Sequence, residues 1–302
     1  MKAYTKSLLH LHFIIFIWGF TAVLGALIQL DYLTLTWYRM GIASMLLFIY
    51  SIFKKNIRQQ IFLLDIKTQL RFILGGIIIA LHWLAFFYAI KISNVSITLV
   101  ALSSGAFFTS LLEPFFYKRK IYFHEIILGF LILIALMVLL KIEKLHFVSV
   151  FYALIAAFLS GLFSVSNGIL IRTQSGVQLS FFQLFYGFLF LTIILIVPSG
   201  LRSLPIPTLN DWIYLFILAS ICTAYAFTVS ISLLKYISPY TVMLSINLEP
   251  VYGIILAVLI LGEQKNMSVN FYLGSFIILI IILLNEYIKV KLKKNTDKKL
   301  KL

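Results

Sequence analysis

Ten stretches of mostly apolar residues, each near 20 residues long, follow one another along the chain with only short polar breaks between them. They run Leu11–Leu30, Leu33–Phe53, Phe72–Ile90, Val95–Phe116, Ile121–Leu140, Phe147–Ile171, Val177–Val197, Trp212–Leu234, Pro239–Leu261 and Val269–Ile288. A helix needs about 20 such residues to cross a hydrocarbon core of about 30 Å, and nothing short of a membrane or a very large core can accommodate ten of them. Strands of a transmembrane barrel are shorter and alternate polar with apolar, which these segments do not. The first stretch follows a basic start (Lys2, Lys6) like a secretory signal, but it has no small-residue cleavage site and runs through Asp31 into the next span. We therefore expect an all-α integral membrane protein with ten spans. Composition agrees: 62% of the 302 residues are hydrophobic and 12% charged, and the mean hydropathy is +1.05. That excludes a water-soluble globule. The single cysteine, Cys222, implies no disulfide framework.

The net charge of +15 would suggest nucleic acid in a soluble protein, but here its distribution decides the reading. With ten spans, alternate loops fall on one face, and one face holds 19 Lys and Arg against five on the other. The rich face carries Lys54, Lys55, Lys118–Lys120 and seven lysines after Ile288. Basic loops stay in the cytoplasm, so both termini are expected there. The tail over 289–302 is read as a solvated orientation signal against anionic headgroups. Arg39 is the one remaining basic residue, and it lies inside a span.

Five spans per half means that any duplicated halves must be inverted relative to one another. Weak similarity of this kind is present. Ala89-Ile90-Lys91-Ile92-Ser93 aligns with Leu234-Lys235-Tyr236-Ile237-Ser238, and Leu128-Gly129-Phe130 with Leu273-Gly274-Ser275. This register sets Ser104-Gly105 against Glu249-Pro250. A rival overlay of Leu112-Glu113-Pro114 on Leu248-Glu249-Pro250 is rejected, because it would oppose the basic Lys118–Lys120 loop to apolar Ile254–Ala257. The expected organisation is a first five-helix repeat over 1–144, a second over 145–288 and the basic tail.

With Trp18-Gly19-Phe20-Thr21 in the first span, Arg39 early in the second, a small-polar start to the fourth after Ile92-Ser93-Asn94, and Asn247-Leu248-Glu249-Pro250 leading to Leu261-Gly262-Glu263, the sequence resembles the drug/metabolite transporter superfamily in its EamA-type, ten-helix branch. The resemblance implies two inverted five-helix repeats, a central cavity and alternating access, with export of amino acids or related compounds as the leading activity. The halves differ where Phe116-Tyr117-Lys118 stands against Leu261-Gly262-Glu263.

Functional residues are sought through the cost of polarity in lipid, about 2.5–3.5 kcal/mol for a charge at a helix centre. Glu249 lies ten residues into its span, about 15 Å deep at the helical rise, with Pro250 next to it removing a backbone hydrogen bond. It is a candidate proton-binding or amine-binding carboxylate, or else a hydrogen-bonded clamp beside Asn247. His82 lies at similar depth, and is a candidate proton partner of Glu249 in one shared cavity, or else a packed core residue. Trp18, Thr21, Trp83, Ser103, Ser104, Ser160, Ser164, Asn167, Thr223, Tyr225 and Thr228 complete the candidate substrate- and proton-binding set. Taken singly, each hydroxyl could instead bond within its own helix.

Arg39 is expected to snorkel outward or cap a neighbour's carbonyls, Glu113, Glu263 and Glu286 to be structural, and Gly253 and Ala257 to form a helix-packing face. No phosphate-cradling loop, zinc-protease motif or nucleophile elbow is present, so neither an enzyme, a cofactor nor a metal is expected. The expected function is an inner-membrane secondary carrier of small organic metabolites, an exporter in direction by resemblance alone. Its expected partners are a small-molecule substrate, the lipid bilayer and protons as coupling ion, without nucleic acid, in a monomer or homodimer. The alternatives are a gated channel and a membrane-embedded enzyme or accessory protein.

Overall fold

A computed structural model describes residues 2–54, 65–118, 146–199 and 205–265, with scattered positions within 127–134 and 268–284. Among the described residues the chain is all helical, and eight helices are long and apolar enough to cross a membrane. The spans expected over 121–140 and 269–288, with Glu286 and the basic tail, lie largely outside the described residues.

The helices are α1 (Lys2–Leu27), α2 (Tyr32–Phe53), α3 (Ile66–Ile92), α4 (Val95–Leu102), α5 (Gly105–Tyr117), α6 (Phe147–Leu170), α7 (Gly176–Ser199), α8 (Leu209–Ala219), α9 (Ala226–Leu233), α10 (Pro239–Ile246) and α11 (Glu249–Leu256). Several starts are set by short polar side chains that occupy amide groups left open at a first turn. Asp31 accepts from Leu33 and Thr34, Asn94 from Ile97, and Ser238 from Thr241. Asp65 caps α3, and its hydrogen bonding to Thr68 holds its carboxyl below the usual carboxylate range. Thr208 and Asp211 form a capping box on α8, and Asp211 also accepts from the Gln29 amide at 2.8 Å, joining the turn before α2 to the second half.

The fourth and ninth spans are both broken in the middle, α4 from α5 at Ser103-Ser104 and α10 from α11 at Asn247-Leu248. In each, the chain tightens through backbone bonds to the third residue back, Ser104 to Ala101 and Leu248 to Ser245. Each span also ends on a left-handed residue, Lys118 (φ 52°) and Gly262 (φ 68°). Gly262 adopts that conformation without the Cβ clash that Lys118 must bear. Starting caps (Asn94, Ser238), breaks (Ser103, Asn247) and left-handed ends (Lys118, Gly262) correspond one residue away from the alignment expected from sequence. The structure therefore pairs Gly105 with Glu249 and Ser104 with Leu248, because helix ends fix the register and apolar runs do not.

Packing repeats under exchange of the halves. α1 lies on α11 as its counterpart α6 lies on α5, while α2 meets α7 between the halves. Of the broken spans, α4 packs on α11 and α5 on α10. The first piece of one span thus neighbours the last piece of the other, so the two run antiparallel, as inverted halves require. Two carboxylates secure this crossing. Glu263, just past the end of the ninth span, accepts from the amides of Val95 (2.8 Å) and Ser96 (3.0 Å) at the start of α4. Near the end of the fourth span, Glu113 accepts from the Tyr240 amide at the start of α10 (2.7 Å).

Close helix approach depends on small residues. Gly19 of α1 faces Tyr252 and Gly253 of α11, and Gly253 itself abuts Leu99. Gly76 of α3 lies against the backbone of α7: a Cβ there would sit 2.6 Å from the Gln183 carbonyl and 2.8 Å from the Gly187 nitrogen. Neither backbone atom can move without displacing a helix. Gly76→Val is expected to destabilise the protein by about 1–3 kcal/mol, read as a lowered melting temperature in detergent. An unchanged melt would mean that α3 and α7 are not packed this closely.

Candidate functional site

Where the two broken spans meet the rest of the bundle, residues of both halves line a cavity of about 100 Å³. Trp18 and Thr21 reach it from α1, Arg39 from α2, His82, Trp83 and Phe86 from α3, Ser160, Phe163 and Ser164 from α6, Phe227 and Ser230 from α9, and Met243, Asn247 and Glu249 from the ninth span. A mostly apolar lining with a few convergent polar groups is the usual make-up of a small-molecule site.

The wall on one side is organised by an irregularity in the eighth span. Between α8 and α9, residues Ser220–Tyr225 form a π-helical turn, a feature common at functional sites. Inside that turn the Cys222 carbonyl accepts from the Trp18 indole at 3.1 Å. Thr223, whose hydroxyl donates back to the Leu218 carbonyl (2.7 Å), accepts from Arg39 Nε at 2.7 Å. The guanidinium of Arg39 also lies 3.8 Å from the Trp83 ring centroid, a stacked cation–π contact.

Arg39 therefore points inward and is 1% exposed, where the sequence reading had it snorkelling outward or capping a carbonyl. The partner that turns it is 184 residues away, beyond what local pattern conveys. The available signal was that no other basic residue lies inside a span, which carries the same desolvation argument that singles out Glu249.

His82 and Glu249 line this same cavity, 9% and 7% exposed. The His82 Nδ1 lies 2.7 Å from the Ala156 carbonyl, so Nδ1 carries a proton and, in the neutral ring, Nε2 is left as an acceptor. Glu249 opens α11 directly after the break, with Pro250 behind it. Four cavity-lining groups are buried without any hydrogen-bond partner: Thr21 Oγ1, Arg39 Nη1, Ser164 Oγ and Asn247 Nδ2. Buried polar atoms are seldom left so, and these four are concentrated at one place.

Of the other sequence candidates, Trp18, Thr21, Trp83, Ser160 and Ser164 line the cavity and six do not. Ser103 and Ser104 return their hydroxyls to the Val100 and Ala101 carbonyls and shape the break in the fourth span. Asn167 exchanges two hydrogen bonds with Gln183, tying α6 to α7. Thr223 orients Arg39 from behind, and Thr228 is buried outside the lining. Tyr225 is 41% exposed and meets His10 on the outer surface, facing away from the cavity. Ser230 and the aromatic groups Phe163 and Phe227 line the cavity without having been singled out.

The profile of the EamA-like transporter family matches residues 6–141 and 147–287, one copy per half. No match was found among curated proteins. A crystal structure of a protein 16% identical in sequence is similar with a TM-score of 0.69, over 95% of this chain and 99% of the other. At that identity the likeness speaks to the fold alone.

Replacing Thr223 with valine keeps the volume and removes the acceptor for Arg39 Nε. Leaving a second guanidinium nitrogen unpaired is expected to cost about 1–3 kcal/mol, seen as a lower melting temperature that Thr223→Ser restores. Equal stability of the valine and serine variants would show that Thr223 does not hold Arg39.

Proposed function

Since the chain belongs to the EamA-like transporter family, we propose that this multi-pass membrane protein is a secondary carrier of small organic metabolites that works by alternating access. We place it in the inner (plasma) membrane with both termini cytoplasmic, exporting amino acids or related compounds. The observation that carries this reading is the cavity itself: it lies where two antiparallel broken spans cross, and Arg39, His82 and Glu249 contribute charge or protonation from both halves. Discontinuous helices meeting near mid-membrane are how repeat-built carriers assemble a binding site from backbone ends and polar side chains.

The two carboxylate caps suit alternating access. In the proposed orientation, Glu263 joins the halves near the outer face and Glu113 joins them near the inner face. Releasing one while keeping the other lets the halves part on one side only, which is what a carrier needs and a continuous pore does not. His82 and Glu249 are the groups we assign to proton coupling, because both can change charge inside the cavity. Each is exposed in turn to the solution on the side to which the cavity opens, so a proton taken up from one side can be released to the other.

In proteoliposomes challenged with an amino-acid panel, counterflow and saturation are expected, and neither would accompany a channel. Glu249→Gln is expected to abolish flux driven by an imposed pH gradient while leaving membrane insertion intact. Undiminished pH-driven flux in this variant would remove the proton role. Cys222 is buried, so a cysteine introduced for Ser160 reports access to the cavity against a low background. Glu263→Ala should raise labelling of that site by an impermeant maleimide from the outer face several-fold, and Glu113→Ala should not. The same response in both variants would contradict separate closure at the two faces.

A further inference from the structure

We propose that Arg39 anchors a carboxylate of the transported solute, and that Arg39 with Glu249 makes the cavity selective for zwitterions. This rests on the carrier reading and names the chemistry of what is carried. Arg39 is held on two sides: its Nε donates to Thr223, and one face of the guanidinium is covered by Trp83. What remains is Nη1, buried, lining the cavity and without a partner in the protein. A charged donor fixed in place, with no acceptor in the protein, is matched to a carboxylate oxygen, which accepts a charge-assisted N–H bond.

Glu249 lines the same cavity from the other half. When Glu249 is ionised the fixed charge of the site is close to zero, and this constrains the ligand. A purely anionic or cationic solute would satisfy one group and add net charge to a low-dielectric space. A solute with a carboxylate and an ammonium satisfies both and adds none. Ser164 and Asn247 supply further open hydrogen-bonding groups, and Trp18, Phe163 and Phe227 give the remainder of the solute an apolar wall.

The test uses the full chain in detergent and follows its tryptophan fluorescence, since Trp18 and Trp83 both border the cavity. The probes are L-alanine, L-valine, L-leucine and L-phenylalanine, each beside its carboxamide, which keeps the ammonium and side chain and removes the anionic group. At least one acid is expected to quench saturably, with its carboxamide at least about tenfold weaker. Arg39→Gln should bring acid and carboxamide to within twofold of each other, and Arg39→Lys, which keeps the charge without the fork, should fall between. If Arg39→Gln does not fold, the acid-to-carboxamide ratio of the native protein decides alone. A carboxamide binding within twofold of its acid, or no saturable quenching by any of the four acids, overturns the proposal. Counterflow of solutes lacking a carboxylate would leave the carrier reading standing and remove this one. Absence of all counterflow, with the tenfold ratio intact, would do the reverse.

Discussion

A helix that starts or stops inside a bundle exposes amide groups that lipid cannot satisfy, and the architecture here follows from how those groups are met. The fourth and ninth spans begin beside each other's far ends, and each start is held by a carboxylate from the opposite span, Glu263 on α4 and Glu113 on α10. An ionised acceptor at a helix start combines a charge-assisted bond with the favourable end of the helix dipole. Because the partners lie in different halves, the same contacts that complete each helix also hold the halves together. The breaks in the two spans then fall at corresponding positions, and the cavity forms beside them.

The cavity wall depends on a second departure from regular helix. An ordinary α-helical eighth span would keep the Cys222 carbonyl inside its own hydrogen-bond ladder. In the π-turn that carbonyl accepts from Trp18, and Thr223 reaches Arg39. Arg39 in turn lies across Trp83, so one irregular turn orders an indole, a guanidinium and a second indole from three other helices. Small residues allow this density: the glycines of α1 and α3 bring backbones together where a single methyl would separate them.

The helical class and the positions of eight spans were legible in the sequence because long apolar runs have few ways to be satisfied. The inward placement of Glu249 was legible for a related reason, since a carboxylate in mid-span must find an interior. Arg39 was visible as an intraspan charge, but its direction was not. Two turns from a helix end, a long side chain can reach either way, and what draws it inward is a threonine on a span far along the chain. Thr223 and Tyr225 were grouped together, although residues two apart on a helix face opposite ways, and the structure sends one inward and the other to the surface. The internal register was out by one residue because apolar stretches align almost equally well when slipped. Caps and left-handed ends, which do not slip, settle it.

The caps have a further consequence for a chain made of two related units. Glu113 and Glu263 do similar work at opposite ends of the crossing, yet they do not occupy equivalent positions: the structural register pairs Glu113 with Ala257. Two identical subunits associating head to tail would be obliged to use one residue for both fastenings, so any mutation would strengthen or weaken the two together. Joined in a single polypeptide, each fastening can drift by itself. Selection can thereby tune each fastening without touching the residues that line the cavity.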